Sequence, residues 1–227
     1  MWQPFSIVVL ISGHGSTLQA IIDALSVQSP PIHIAAVISN QSHAQGLARA
    51  QKAHIPTHLL TRAQCPDEIE YEQKLWDLLQ KYQPDLVVLA GFMRILGANV
   101  VHRLRGKMIN LHPSLLPKYP GRDTHESVLR NGDRLHGSTI HFVTEVLDAG
   151  PVIAQTQCTV APEDTLETLV PRIKALEHVL YPTVLQWFAE GRIVQKDDHT
   201  VLMDGKPLPG TGVAGPLAST AIFSAPE

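Results

Sequence analysis

Two polar side chains close an apolar run, Met108-Ile109-Asn110-Leu111-His112, and Pro113 follows at once. If Lys107 to Leu111 is a strand, its period of two puts Asn110 and His112 on one face. Pro113 cannot donate into a sheet ladder, so pairing stops there and both groups sit at the strand's end. In open parallel α/β sheets that carboxyl end is where sites form. Asn110 offers a fixed amide donor, and imidazole is the side chain that titrates near neutral pH. Taken alone, the segment fits a buried, satisfied histidine beside a turn equally well.

A sheet must hold such a pair, and the first half of the chain predicts one. Ile7 to Ile11 is a continuous apolar, mostly β-branched run, expected of a strand buried on both faces. Ser12-Gly13-His14-Gly15-Ser16 breaks it, and Thr17 to Leu25 reads as a helix. Exposed N–H groups of Gly15, Ser16 and Thr17 at that helix start could seat a phosphomonoester; simple turn glycines are the alternative. The third glycine of a dinucleotide fingerprint is missing, and the next strand, Ile32 to Ile38, ends in Ser39-Asn40 rather than an acidic residue. No Gly-Lys-Ser/Thr loop occurs either, so nicotinamide and nucleoside triphosphate sites are disfavoured. A helix over Ala44 to Ala53, a short strand over Ile55 to Leu60 and a striped helix over Glu68 to Tyr82 come next. Asp85 to Ala90 is another buried strand, and Ala98 to Leu104 another helix. This alternation predicts an α/β, Rossmann-like, mostly parallel twisted sheet with helices on both faces.

The second half adds an antiparallel C-terminal portion. Arg122 to Asn131 reads as a helix, and His136 to Thr144 and Pro151 to Cys158 as strands around the loop Glu145 to Gly150. A helix from about Asp164 to Phe188 contains Pro171 and Pro182, so it should begin late, kink or break. Gly191 to Leu202 suggests a strand pair. Residues 1–205 are expected to form one domain, and 206–227, rich in Gly, Pro and Ala, a weakly ordered tail.

Composition narrows the classes. Of 227 residues, 44% are hydrophobic and 17% charged, an ordinary globular balance, and a net charge of -3 argues against nucleic acid as partner. The twelve histidines are scattered without HExxH or paired Cys/His spacing, so no metal is expected. Cys65 and Cys158 read as free thiols in a reducing compartment. No signal peptide and no apolar stretch approaching about 20 residues is present, so a cytoplasmic protein with no membrane partner is expected.

Asn110-x-His112-Pro113-Ser114-Leu115-Leu116-Pro117, with Asp148-Ala149-Gly150-Pro151, resembles the folate-dependent formyltransferase family. The likeness extends through Val8 to Gly13, Leu89 to Leu96 and His141 to Thr144, covers about residues 5–205, and is greatest to the members of purine biosynthesis. The resemblance implies that Asn110, His112 and Asp148 are catalytic. It implies that 10-formyltetrahydrofolate, as co-substrate, gives its formyl group to the glycine amine of 5'-phosphoribosylglycinamide. Met93, Arg94, Ile95 and Leu96, with Asn110 and the loop Thr144, Glu145, Val146, Leu147 and Asp148, would line the folate pocket. Gly15, Ser16 and Thr17 would hold the substrate phosphate, while Lys174 and Glu177 would contact the nucleotide. His14 and Thr17 stand where bacterial members carry asparagine, Ala149 replaces a loop glycine, and Glu68 falls near a folate-contacting arginine, so no folate contact is placed there. A homodimer stays open.

Amine attack on a formamide carbon puts negative charge on oxygen and positive charge on nitrogen. Asn110 can donate to the oxyanion, an imidazolium at His112 can aid that oxygen or protonate the leaving nitrogen, and Asp148 can accept the amine's proton. His141, out of phase with Ile140 and Phe142, is expected to face the site, and His125 is a further candidate. A hydrolase using water on the same formylated folate is the nearest rival. By the same resemblance it would carry an extra N-terminal domain, for which the early first strand leaves no room. A formyltransferase acting on initiator tRNA would add a C-terminal RNA-binding domain. A non-catalytic binder would not need the trio.

Overall fold

A computed structural model describes residues 4–25 and 31–214. In chain order the elements are β1 (Phe5–Ile11), α1 (Ser16–Leu25), β2 (Ile32–Ser39), α2 (Gln45–Lys52), β3 (Thr57–Leu59), α3 (Glu68–Tyr82), β4 (Leu86–Leu89) and α4 (Ala98–Arg103). Then follow β5 (Met108–His112), α5 (Thr124–Asn131), β6 (Leu135–Phe142), β7 (Val152–Thr159), α6 (Leu166–Ala189), β8 (Ile193–Gln195), β9 (Val201–Met203), β10 (Lys206–Pro207) and β11 (Val213–Ala214). Eight strands form one sheet in the order β11-β7-β6-β5-β4-β1-β2-β3, and β10-β9-β8 form a small antiparallel sheet. Within the large sheet only β6 runs against its neighbours, so the direction reverses at the β5–β6 pair.

The period of two is visible in β1. Ile7, Val9 and Ile11 enter one core with Leu18 and Ile21 of α1 and Leu180, Tyr181, Val184 and Leu185 of α6. Val8 and Leu10 enter the other, with Tyr71, Leu75 and Leu79 of α3 and Val100 and Val101 of α4. The three buried residues of α3 recur every four positions, one stripe of a 3.6-residue helix. Asp67 caps its start by accepting from the Glu70 N–H at 2.8 Å, and Gln83 in a left-handed conformation ends it before Pro84.

Of the outcomes expected for α6, it neither begins late nor breaks. It runs from Leu166 to Ala189 with Pro171 and Pro182 inside. An interior proline costs about 3 kcal/mol. Nine buried residues, among them Leu169, Ile173, Leu180, Tyr181 and Phe188, offset that, since each large apolar side chain buried is worth about 1.5–3 kcal/mol. Part of the expected tail is regular structure: β10 and β11 lie between 206 and 214, and β11 adds a parallel strand beside β7. Residues 215–227 of that expected tail lie outside the described residues. Cys65 is buried, Cys158 half-buried, and both are free thiols. Among the described residues no helix is long and apolar enough to cross a membrane.

Candidate active site

β5 ends at His112, and the turn after it is pinned from the neighbouring strands. The buried Thr139 hydroxyl donates to the Ser114 carbonyl at 2.6 Å and accepts from the Leu116 N–H at 3.1 Å and the Gln155 amide at 3.0 Å. Gln155 also donates to the Leu116 carbonyl at 2.8 Å. These buried bonds fix where the chain leaves β5, and therefore where the His112 ring lies.

The ring is held at both nitrogens. Nε2 lies 2.8 Å from the Tyr119 carbonyl, and Nδ1 lies 3.3 Å from Oδ2 of Asp148. A carbonyl only accepts, so Nε2 carries a proton. Nδ1 then faces a carboxylate, an arrangement that attracts only if a proton lies between the two. His112 and Asp148 thus form a nearly buried pair, an ion pair whenever the ring is protonated, with side chains 5% and 6% exposed.

Asp148 reaches this place from the loop between β6 and β7. Its φ of +51° is left-handed, a conformation Asp tolerates better than most residues. The Gly121 N–H donates to Oδ2 at 2.8 Å. Two positions on, a Cβ on Gly150 would sit 1.8 Å from the Phe142 carbonyl oxygen, so only glycine lets the loop close against β6. Oδ1 is less engaged, 3.7 Å from Nε2 of His141.

His141 is the cross-strand partner of Asn110 in the antiparallel ladder. Its Nδ1 donates to the Phe142 carbonyl at 2.9 Å, and its Nε2 lies 3.3 Å from the Asn110 amide nitrogen. Burial pushes its pKa down to about 4, although the Phe142 carbonyl and Asp148 oppose the shift. His125 bonds His136 at 2.8 Å, and burial followed by the charge on His125 lowers His136 to about 4.

Asn110, His112, His125, His141 and Asp148 border a cavity of about 490 Å³, and His136 lies behind its wall residues. Its walls include Met93, Arg94, Ile95 and Leu96, then Asn110 and His112, then Thr144, Glu145, Leu147 and Asp148, with His125 and His141 besides. Val146 is not a wall residue and is 66% exposed. The wall at 91–96 is tied to the end of β1 by Ser12, whose hydroxyl accepts from the Met93 N–H at 2.7 Å and donates to Asn40 at 2.6 Å. Arg94 is paired with Glu68 and lies over the Tyr71 ring, 3.8 Å from its centroid.

Gly15, Ser16 and Thr17 lie at the start of α1, outside the cavity walls. Gly15 has a φ of +74°, and a Cβ there would meet the Gly46 Cα at 2.5 Å, so loop and α2 touch through two glycines. Arg49 of α2 donates to the His14 carbonyl at 2.9 Å. Lys174 and Glu177 on α6 are likewise outside the walls. The fully buried Glu177 accepts from Ser138 at 2.8 Å and from Lys174 at 2.6 Å.

A family model described as formyl transferase matches residues 5–185. The chain belongs to that family. It is 46% identical over 209 residues to the phosphoribosylglycinamide formyltransferase of Escherichia coli K12, spanning 92% of this chain and 98% of that protein. The solved structure of a phosphoribosylglycinamide formyltransferase from Coxiella burnetii, 50% identical, superposes with a TM-score of 0.90 over 94% of this chain and 100% of that one. A second, from Anaplasma phagocytophilum, is 38% identical with a TM-score of 0.83, covering 93% and 98%.

In this formyl transferase, sequence reasoning did not single out Thr139, Gln155, Ser12 or the backbone groups of Tyr119 and Gly121. Thr139 and Gln155 carry one available signal, being polar residues inside otherwise buried strands. The carbonyl and N–H contacts have none, because every residue type supplies them.

Proposed function

We propose that this chain transfers the formyl group of 10-formyltetrahydrofolate to the glycine amine of 5'-phosphoribosylglycinamide, a step of de novo purine biosynthesis. The observation that carries the reading is the convergence of Asn110, His112 and Asp148 on one cavity, with the His112 ring 3.3 Å from the Asp148 carboxylate. The identity to phosphoribosylglycinamide formyltransferases over nearly the whole chain supports the choice of acceptor.

In the proposed reaction the amine nitrogen bonds to the formyl carbon and the carbonyl π pair moves to oxygen. An Asn110 N–H and the positive charge of His112 stabilise that oxyanion; losing one such donor typically costs about 10²–10³ in turnover. His112 acts here by charge, because both its nitrogens are engaged, and passing on the Nε2 proton requires the Tyr119 carbonyl to move away. Oδ1 of Asp148, the less engaged oxygen, takes the amine's proton. Collapse re-forms the carbonyl and breaks the bond to the folate nitrogen, which takes up the proton that Asp148 had accepted from the amine.

The folate is assigned to the apolar wall of Met93 to Leu96 and the loop Thr144 to Asp148, and the phosphate to the amides of Gly15, Ser16 and Thr17. Lys174 and Glu177 are assigned to the nucleotide. The test follows folate release by absorbance with and without phosphoribosylglycinamide. Release that requires the amine supports transfer, and release that ignores it overturns transfer in favour of the hydrolase.

A further inference from the structure

We infer that His141 is a positioning residue for this reaction: it fixes which way round the Asn110 amide sits, and so turns an N–H of that amide toward the reacting carbonyl oxygen. The inference rests on the proposed transfer chemistry and adds to it a fourth side chain.

The two ends of an asparagine amide have nearly the same shape and opposite hydrogen-bonding sense. Only the nitrogen end helps an oxyanion; the oxygen end repels it. Something must therefore choose, and a neutral imidazole with a fixed tautomer does so. The Phe142 carbonyl, 2.9 Å from Nδ1, accepts only, so Nδ1 bears the ring proton. Nε2 is then a bare lone pair in a side chain 3% exposed. The Asn110 amide lies 3.3 Å away, and a lone pair there accepts an N–H and rejects Oδ1. One of the two amide hydrogens satisfies His141, and the other remains for the cavity that Asn110 lines.

Burial keeps the ring neutral at working pH and so keeps this sense of the bond. A charged ring would carry a proton on Nε2, draw Oδ1 toward it and turn the amide over. It would also compete with His112 for Asp148, whose Oδ1 is 3.7 Å from Nε2. The distance itself is set by the ladder, in which Asn110 and His141 are direct partners.

The experiment is a double-mutant cycle on the full chain, run once the wild type has shown amine-dependent transfer, which tests the underlying reading separately. His141→Phe keeps a ring and removes the acceptor; His141→Gln keeps an acceptor oxygen. We expect His141→Phe to lower kcat roughly 10–100-fold, short of a complete oxyanion loss. KM for both substrates should stay within about twofold, as for an interaction felt only in the transition state. His141→Gln should recover part of kcat. In an Asn110→Ala background, His141→Phe should cost nothing further. Wild-type kcat in His141→Phe, or a loss that adds in full to that of Asn110→Ala, overturns the inference. If His141→Phe does not fold, ¹⁵N NMR of the wild-type ring decides: a protonated Nδ1 with a bare Nε2 at pH 7 sustains it, and a protonated Nε2 overturns it.

Discussion

Acid should destabilise this fold through His141, by an amount the structure sets. The ring titrates near 4 when folded and near 6.5 when exposed, chiefly because burial penalises its charged form. Between those values the unfolded chain binds the proton and the folded one does not, so stability is complete above about pH 6.5 and declines toward pH 4. At about 1.4 kcal/mol per pH unit the full contribution is about 3 kcal/mol, and about 2 kcal/mol of it is gone at pH 5. The same sign applies to His136, near 4, and to His58, His125 and His178, all lowered first of all by burial. The wild type therefore loses more than His141 alone accounts for, and a comparison isolates its share. His141→Gln has no group to protonate at that site. Urea unfolding at pH 7.5 and pH 5.0 should show the variant losing about 2 kcal/mol less than the wild type between the two. Parallel losses in both proteins would refute the reasoning, because they would mean that the site accepts a charge at no cost.

Asp148→Asn should cripple turnover far more than nucleotide binding, since it removes the carboxylate beside His112 and the proposed proton acceptor while leaving the proposed phosphate seat; near-normal kcat with intact binding would sink its assigned role. Gly150→Ala forces a Cβ onto the Phe142 carbonyl, so it should cost about 1–3 kcal/mol in unfolding experiments and at least tenfold in kcat as Asp148 is displaced. Glu177→Gln breaks the 2.6 Å pair with Lys174 and should raise KM for the ribonucleotide, leaving KM for the folate unchanged in steady-state assays. Tyr181→Phe deletes the hydroxyl that donates to the Leu89 carbonyl at 2.8 Å and should lower unfolding free energy by about 1 kcal/mol without altering KM.

Much of this architecture could be read from pattern. Runs such as Ile7 to Ile11 and Leu86 to Leu89 are apolar throughout because both faces are covered, and the stripe of α3 has the helical period. The two-residue spacing of Asn110 and His112 was enough to put them on one face. What pattern could not give was partnership. His141 was marked by its phase, but only the antiparallel register makes it the neighbour of Asn110 rather than of Leu111. Asp148 came through resemblance, since a left-handed loop residue carries no periodic mark. The prolines of α6 do not break it because local propensity is outweighed by the burial of that helix against α1 and the sheet. Lys206–Pro207 and Val213–Ala214 were missed because two-residue strands have no alternation to read.

The reversal of strand direction at β5–β6 gives the site an all-or-nothing character. Asn110 and His141 meet because two particular rungs of one ladder coincide, and a slip of a single rung would send every side chain of the slipped strand to the opposite layer. A misfolded molecule of that kind would hold an amide and an imidazole facing different solvents, with no weakened version of the pair between. The specific activity of refolded protein should therefore count molecules rather than average over them, and a half-active preparation should divide into fully competent chains and inert ones.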